Sequence, residues 1–182
     1  MSKEYPKFSV RKAAEAVSLL LKMHGGKMSR FKLIKLLYLA DRKAIENYAR
    51  PITYDEYFST RGGQVLGGVL DLIDNLIVDP EWHGHIGRVN SISITLTGKP
   101  IKLNKLSPAE VEILEDIYGE FGDWNRFDLG NYTKTLPEYK STTKRVRTTI
   151  EELLGHIFDK EEAEQIEQRL EEVAYLECAL GG

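Results

Sequence analysis

The sequence predicts an α+β fold in which helices dominate, with about six helices packed on one core and a small β-hairpin or short antiparallel sheet. Apolar residues recur at helical spacing along most of the chain, whereas apolar–polar alternation is confined to short segments. No internal repeat, low-complexity tract or linker interrupts the 182 residues, a length that suits one core. We therefore expect a single domain over residues 1–182.

Two helices are predicted in the N-terminal part of the chain. Ser9 is a suitable N-cap for a helix over 10–23, which a Gly-Gly pair ends. Ser29 precedes a second helix over 30–48, and Pro51 ends it because proline disfavours helical geometry in the residue before it.

The second of these helices is predicted to be amphipathic. Its apolar residues form one stripe, which is typical of a helix that packs one face on a core. Lys32, Lys35 and Arg42 lie off that stripe, so we expect them on a solvated face.

An extended segment, a turn and a third helix are expected next. Residues 52–60 are rich in β-branched and aromatic side chains, and Arg61-Gly62-Gly63 predicts a sharp turn. Apolar spacing predicts a helix over 64–77. The Gly67-Gly68 pair inside it favours either a close helix–helix approach or a later helix start.

The strongest β-signal is the alternating segment 88–97. Gly98-Lys99-Pro100 predicts a turn, and residues 101–103 would continue as the second strand of a hairpin. We expect this hairpin to be the only well-formed sheet element.

The C-terminal half is predicted to be helical. Ser107-Pro108-Ala109-Glu110 combines a cap, a proline at the first helical position and a glutamate at the third, so a helix begins there and ends near Phe121. The remaining helices are expected over 127–133, from Thr148 or Thr149 to 158, and over 160–180, the last of them strongly acidic.

Composition favours a cytoplasmic protein without membrane segments. The formal net charge is −3, which does not suggest a nucleic-acid binder. Cys178 is the only cysteine, so the fold stands without an internal disulfide. Residues 1–8 are polar and lack a signal-peptide core, and no apolar stretch reaches the ~20 residues that span a bilayer.

The motifs of common enzymes and cofactor sites are incomplete. Gly62 and Gly67 have the spacing of a phosphate loop, but Gly68-Val69 stands where lysine and serine or threonine are needed. His83 and His85 could hold a metal, yet zinc sites need three or four ligands. We expect no catalytic residues, no metal and no cofactor, with a metal site at these histidines as the remaining enzymatic alternative.

Basic residues and aromatic residues alternate in the segment 132–147. Such a stretch can bind nucleic acid, meet an acidic partner protein or pair with the acidic helices of 151–172, and the sequence leaves these three interpretations open. The residues are Tyr132, Lys134, Tyr139, Lys140, Lys144, Arg145 and Arg147.

Several blocks of the chain resemble one protein family. Lys35-Leu36-Leu37-Tyr38-Leu39-Ala40-Asp41-Arg42, followed by Arg50-Pro51-Ile52-Thr53-Tyr54-Asp55, is similar to the signature of the Panacea domain, the SocA-like antitoxin family. Later blocks resemble the family in the same order, namely Leu106-Ser107-Pro108, Tyr118-Gly119, 133–139 and 149–154. The resemblance extends over about residues 10–158.

The chain departs from the family pattern at a few positions. Ala49 stands where the family has glycine, and Arg61-Gly62-Gly63-Gln64-Val65 replaces a His-Gly-Pro-Val turn. Lys134 and Tyr139 replace histidine and tryptophan. Gly62-Gly63 can still bend the chain without proline, so we expect Pro51, Gly62 and Gly63 to form structural turns.

The resemblance implies an antitoxin of a bacterial or phage type II toxin–antitoxin system, which neutralises a cognate toxin by direct binding and has no catalytic activity. Alternatives are an adaptor that delivers the toxin to a ClpXP-type protease, or a DNA-binding regulator of its own operon. Tyrosine, tryptophan and arginine are enriched at interface hot spots. On that basis the expected partner-binding residues are Tyr38, Arg42, Tyr54, Tyr57, Arg61, Trp124, Arg126, Tyr132 and Tyr139.

Overall fold

The computed structural model describes residues 3–99 and 101–181, and within them the chain forms eight helices and six short strands. The predicted α+β class with helices dominant is confirmed, although there are more helices than expected. The helices are α1 (Val10–Met23), α2 (Arg30–Tyr48), α3 (Gly67–Ile73), α4 (Pro80–His83), α5 (Pro108–Phe121), α6 (Arg126–Thr133), α7 (Ile150–Ile157) and α8 (Lys160–Ala179). The strands are β1 (Lys27–Ser29), β2 (Tyr57–Thr60), β3 (Gly63–Leu66), β4 (Ile86–Arg88), β5 (Ser93–Leu96) and β6 (Val146–Thr148).

The helix starts follow local capping chemistry. The hydroxyl of Ser107 accepts from the Glu110 amide while the Glu110 carboxylate accepts from the Ser107 amide, and Thr149 and Glu152 repeat this reciprocal pair. The predicted starts of α5 and α7 are therefore confirmed. The Ser9 hydroxyl accepts from the amide of Lys12, which fixes the start of α1.

Helix α2 lies at the centre of the fold and contacts α1, α3, α5, α6 and β3. Its residues from Lys32 to Asp41 are all buried, so the prediction of a solvated polar face on Lys32 and Lys35 is wrong. Both lysine amines reach backbone carbonyls, those of Gly122 and Gln64 respectively. A buried amine is tolerated because it retains such an acceptor.

Two antiparallel three-stranded sheets flank this helix. One has the order β1-β5-β4 and the other β3-β2-β6. The hairpin predicted from 88–97 into 101–103 is wrong, because β5 pairs with the preceding strand β4 and with the distant β1. Residues 101–103 form no strand, and Pro100 of the predicted turn lies outside the described residues.

The segment 52–66 also differs from its prediction. Only Tyr57–Thr60 of the expected extended stretch is a strand, and it turns through Arg61-Gly62 into β3. Helix α3 begins at Gly67, so of the two explanations offered for the Gly67-Gly68 pair the later helix start is confirmed. Asp55 accepts from the amides of Gly68 and Val69, at 2.6 and 2.9 Å, and so caps this start.

Most of the buried apolar side chains form one cluster that joins α1, α2, α5 and both sheets. The first half of α8 reaches it through Ala163, Ile166 and Leu170. Within the described residues, no helix is both long and apolar enough to cross a membrane.

Candidate functional site: a buried motif and an exposed aromatic face

The most family-like block of the sequence forms a buried polar cluster around Asp41. Oδ1 of Asp41 accepts from the amides of Ile52 and Thr53, both at 3.1 Å. Oδ2 accepts from the Thr53 hydroxyl at 2.6 Å and the Tyr57 hydroxyl at 3.3 Å. The carboxylate thus fixes the chain that leaves α2 against the helix itself.

Burial of the Asp41 carboxyl raises its pKa to about 7, and its hydrogen bonds to Thr53 and Ile52 oppose that rise. Burial likewise raises the pKa of Asp55 to about 6. Since both carboxyls bond to backbone amides of neighbouring segments, we interpret these groups as structural.

A second buried cluster joins α2 to the segment after α6. The carboxylate of Glu138 accepts from the Tyr38 hydroxyl at 2.6 Å and from Nε of Arg42 at 2.8 Å. The guanidinium of Arg42 also pairs with Glu46. Glu138 and Tyr38 are 1% and 0% exposed, so this tyrosine contacts no partner in the present conformation.

The end of α2 requires a left-handed residue. Ala49 is the C-cap with φ +57°, and its amide donates to the carbonyl of Ile45. Here the chain departs from the family's glycine, yet the backbone keeps the conformation that glycine adopts most easily. Pro51 follows it as a buried residue in the segment that leads to Thr53.

The turn between β2 and β3 packs against α2 and α6. Gly63 has φ +101°, and a Cβ there would overlap the Thr133 hydroxyl and lie 2.8 Å from the Gly130 carbonyl. The Lys35 amine donates to the carbonyl of Gln64 at 2.5 Å. Burial and the nearby Lys134 lower the pKa of Lys35 to about 7.

Several exposed aromatic side chains lie around the starts of α2 and α6. The Arg126 guanidinium lies 6.0 Å from the ring centre of Phe31 and 4.8 Å from that of Phe127. The rings of Trp124 and Tyr132 meet edge to face at 5.8 Å. We define the aromatic face as Phe31, Trp124, Arg126, Phe127 and Tyr132.

The aromatic face combines exposure with rigid support. Phe127 is 68% exposed, Phe31 50% and Trp124 38%. Trp124 and Tyr132 both pack on the buried ring of Phe121, at 5.1 and 5.0 Å. An acidic surface depression adjoins these rings and is lined by Asp123, Trp124, Asn125, Asp128, Asn131, Tyr132 and Thr135.

The structure brings together two of the expected partner-binding residues, Trp124 and Tyr132. A third, Arg126, begins α6 two positions after Trp124 and contacts the rings of Phe31 and Phe127. Phe31 and Phe127 were not among the expected partner-binding residues, because only tyrosine, tryptophan and arginine were considered. The sequence does contain an indication of Phe127 as a contact residue. Trp124-Asn125-Arg126-Phe127 places two aromatic side chains and one arginine around the start of a helix.

The other expected partner-binding residues lie elsewhere. Tyr57 is 3% exposed and, like Tyr38, belongs to the buried clusters. Tyr139 is partly buried and donates to the carbonyl of Thr60, beside the exposed Arg61. Tyr54, at φ +54°, lines a groove of about 560 Å³ between the N-terminal segment and α7. Arg42 is held by its two glutamates.

The basic stretch largely pairs within the chain. Lys140 pairs with Glu152 of α7 at 2.8 Å. Arg145 lies 3.6 Å from Asp71 and stacks over a ring, and Arg147 pairs with Glu56 at 2.9 Å. Of the three interpretations left open above, these contacts favour internal pairing, although only Lys140 pairs with the C-terminal acidic helices.

The two histidines considered as metal ligands have other contacts. His83 bonds through Nε2 to Asn75 at 2.9 Å, and Nδ1 of His85 lies 3.3 Å from the Lys99 carbonyl. Residues 3–99 and 101–181 contain no cluster of three or more histidine, cysteine, aspartate or glutamate side chains that could hold a metal ion.

These features define a mainly helical scaffold with a buried polar motif and one exposed aromatic face. Comparison with known families identifies it further: the family model described as "Antitoxin SocA-like, Panacea domain" matches residues 33–140. The chain therefore belongs to the SocA-like antitoxin family, which confirms the resemblance inferred from the sequence. No curated protein and no solved structure matches the chain.

The matched segment accounts for much of the geometry described above. It begins within α2 and ends just after Glu138, so it includes the Asp41 cluster, the Gly63 turn and the whole aromatic face except Phe31. Helices α1, α7 and α8 and strands β1 and β6 lie outside it.

Proposed function

We propose that this protein is the antitoxin of a type II toxin–antitoxin pair and neutralises its cognate toxin by direct binding through the aromatic face. The chain would act as a single cytoplasmic domain and would not be an enzyme. Family membership supports the antitoxin role, and the exposed aromatic face is the observation that carries the mode of action.

The composition of the aromatic face suits a protein partner. Aromatic side chains and arginine dominate interface hot spots, where large rigid groups lose little conformational freedom on binding. Phe121 already fixes the rings of Trp124 and Tyr132. A toxin docked here would bury an interface on the order of 1,600 Å², enough to cover an active site or hold an inactive shape.

The buried ionisable groups support a non-catalytic role. Lys35 and Asp41 have the kind of displaced pKa that occurs in active sites. Each is nevertheless buried and bonded to neighbouring backbone, so its contacts serve to join α2 to the segments around it. Four aromatic side chains and Arg126, rather than a reactive group, form the aromatic face.

The decisive experiment is co-expression with the protein encoded by the adjacent gene. We expect that protein to arrest growth alone, to be harmless together with this chain, and to co-purify with it. Phe127→Ala should weaken the complex about thirtyfold or more, the effect of losing one hot spot. Tyr48→Ala is the matched control, because Tyr48 is an exposed aromatic residue on α2 outside the aromatic face.

Each outcome bears on a separate part of the proposal. A harmless neighbour, or the absence of a complex, would overturn the antitoxin assignment. A stable complex that Phe127→Ala and Tyr48→Ala affect equally would overturn the docking site alone. Loss of the toxin only when a ClpXP-type protease is present would replace direct neutralisation by proteolytic delivery.

A further inference from the structure

The C-terminal part of α8 extends beyond the core with an apolar stripe that becomes more exposed toward the end of the helix. Ala163, Ile166 and Leu170 are buried, but Val173 is 40% exposed, Leu176 55% and Leu180 85%. The Leu180 amide donates to the Leu176 carbonyl, so the helical turn continues to that residue. We call Val173, Leu176 and Leu180 the terminal seam.

The spacing of the terminal seam matches the contact stripe of a two-helix coiled coil. The three residues stand at i, i+3 and i+7, which are the a, d and a positions of a heptad. They share one side of the helix, because seven residues complete almost two turns. Such a stripe becomes buried when a second helix packs alongside it.

The charges beside the terminal seam select the occupant. Glu172 and Glu177 take the g and e positions that flank it, and every charged residue from 171 to 181 is a glutamate. Within the described chain no lysine, arginine or histidine lies within 4 Å of either flanking carboxylate. No basic residue occupies the last turn of α8, where the helix dipole would favour one.

A second copy of this chain fits the terminal seam poorly. In a parallel pair, Glu172 of one copy would face Glu177 of the other, since g contacts the e position of the following heptad. In an antiparallel pair each glutamate would face its own counterpart. Both arrangements bring like charges together, which opposes association.

We propose that the terminal seam binds an amphipathic helix of another protein, one that carries apolar residues at heptad spacing and lysine or arginine beside them. The partner helix would bury the valine and leucine side chains of the terminal seam. The basic residues of the partner helix would pair with Glu172 and Glu177. This surface lies outside the family-matched segment and is separate from the aromatic face. The inference does not depend on the antitoxin role.

A synthetic peptide can test the terminal seam without knowledge of the natural partner. The probe is a fluorescently labelled helix of about three heptads with leucine at a and d and lysine at e and g. We expect saturable binding to the full chain, weakened as salt screens the charges. The same peptide with glutamate in place of lysine should bind at least tenfold more weakly.

Matched variants distinguish specific binding at the terminal seam from nonspecific hydrophobic binding. The double variant Leu176→Ser/Leu180→Ser should lose binding at least tenfold, because it removes two exposed leucines that the peptide would bury. Leu76→Ser/Val78→Ser changes two residues of similar exposure outside α8 and should leave binding unchanged. Unaltered thermal unfolding of both would show that the fold is intact.

Four results would overturn the inference. These are no binding of the lysine peptide, equal loss in the two double variants, and equal binding of the lysine and glutamate peptides. The fourth is self-association or attachment to phosphatidylcholine vesicles that disappears in Leu176→Ser/Leu180→Ser, since it would identify a second copy or a lipid surface as the occupant.

Discussion

The hydroxyl of Tyr38 donates to the carboxylate of Glu138 at 2.6 Å, across 100 positions of sequence. The first residue lies near the start of the family-matched segment and the second near its end. Arg42 neutralises the same carboxylate, so a buried charge is held by one hydrogen bond and one ion pair. The contact closes the segment that contains the aromatic face.

Tyr38→Phe should destabilise the protein by about 1–3 kcal/mol, because a buried carboxylate loses one of its two donors. Equilibrium unfolding in urea measures this difference. Tyr48→Phe is the control, since Tyr48 is 46% exposed and its variant should unfold as the parent does. A Tyr38→Phe protein as stable as the parent would show that the hydrogen bond contributes nothing net.

Ala49→Gly should stabilise the protein. Ala49 has φ +57°, a conformation that an alanine side chain strains and glycine adopts freely. The gain is expected to be about 0.5–1 kcal/mol, reduced by the greater freedom of glycine in the unfolded chain. Thermal unfolding would show a higher midpoint, whereas a lower midpoint would mean that the unfolded-state entropy outweighs the strain.

Gly62→Ala and Gly63→Ala should differ sharply although the residues are neighbours. A Cβ at Gly62 has only the Thr60 hydroxyl within reach, at 3.8 Å, whereas one at Gly63 overlaps α6 and requires a positive φ. We expect a change within about 0.5 kcal/mol for the first and a loss above about 2 kcal/mol for the second. Similar unfolding free energies for the two variants would contradict this account of the turn.

Lys35 should make stability rise with pH above neutrality. Its pKa is about 7 in the fold, against 10.5 for an ordinary lysine, so between these values the unfolded chain binds a proton that the folded chain does not. The free energy of unfolding therefore increases with pH between these two pKa values. Below pH 7 the amine is protonated in both the folded and the unfolded chain, so Lys35 adds no pH dependence there. Urea unfolding from pH 7 to 9.5 measures the slope.

Lys35→Met should flatten most of that slope, and Lys27→Met, at an exposed position, should leave it unchanged. A shallow residual slope is expected from Lys32, whose pKa burial also lowers. If Lys35→Met retained the parental slope, the amine of Lys35 would have to remain charged in the folded protein.

Most of the helices could be predicted from the sequence because local chemistry determines where they start, whereas the four-residue α4 was missed. Ser107 with Glu110 and Thr149 with Glu152 mark helix starts through contacts only three residues apart. The sheets could not be predicted in the same way. Strand β1 spans three residues and pairs with β5, far along the chain, so no alternation within it could reveal the partner.

The apolar periodicity of α2 also did not predict that its polar residues are buried. Lys32 and Lys35 reach carbonyls on segments that are distant in sequence, and those acceptors are known only once the chain is folded. The family-like motif of α2 was identifiable, but its residues form buried clusters. The aromatic face arises where the start of α2 meets the start of α6, a juxtaposition that only the tertiary structure provides.

Strand β6 is a piece of the sheet that the family-matched segment does not include. An expression fragment trimmed to residues 33–140 would leave the backbone groups of β2 along one side without hydrogen-bonding partners, and it would strip α1 from the core. Bare strand edges and uncovered apolar surface promote aggregation. Chimeras that transplant the aromatic face between scaffolds should therefore keep α1, β6 and the buried first half of α8, with junctions before Ser9 and after Leu170.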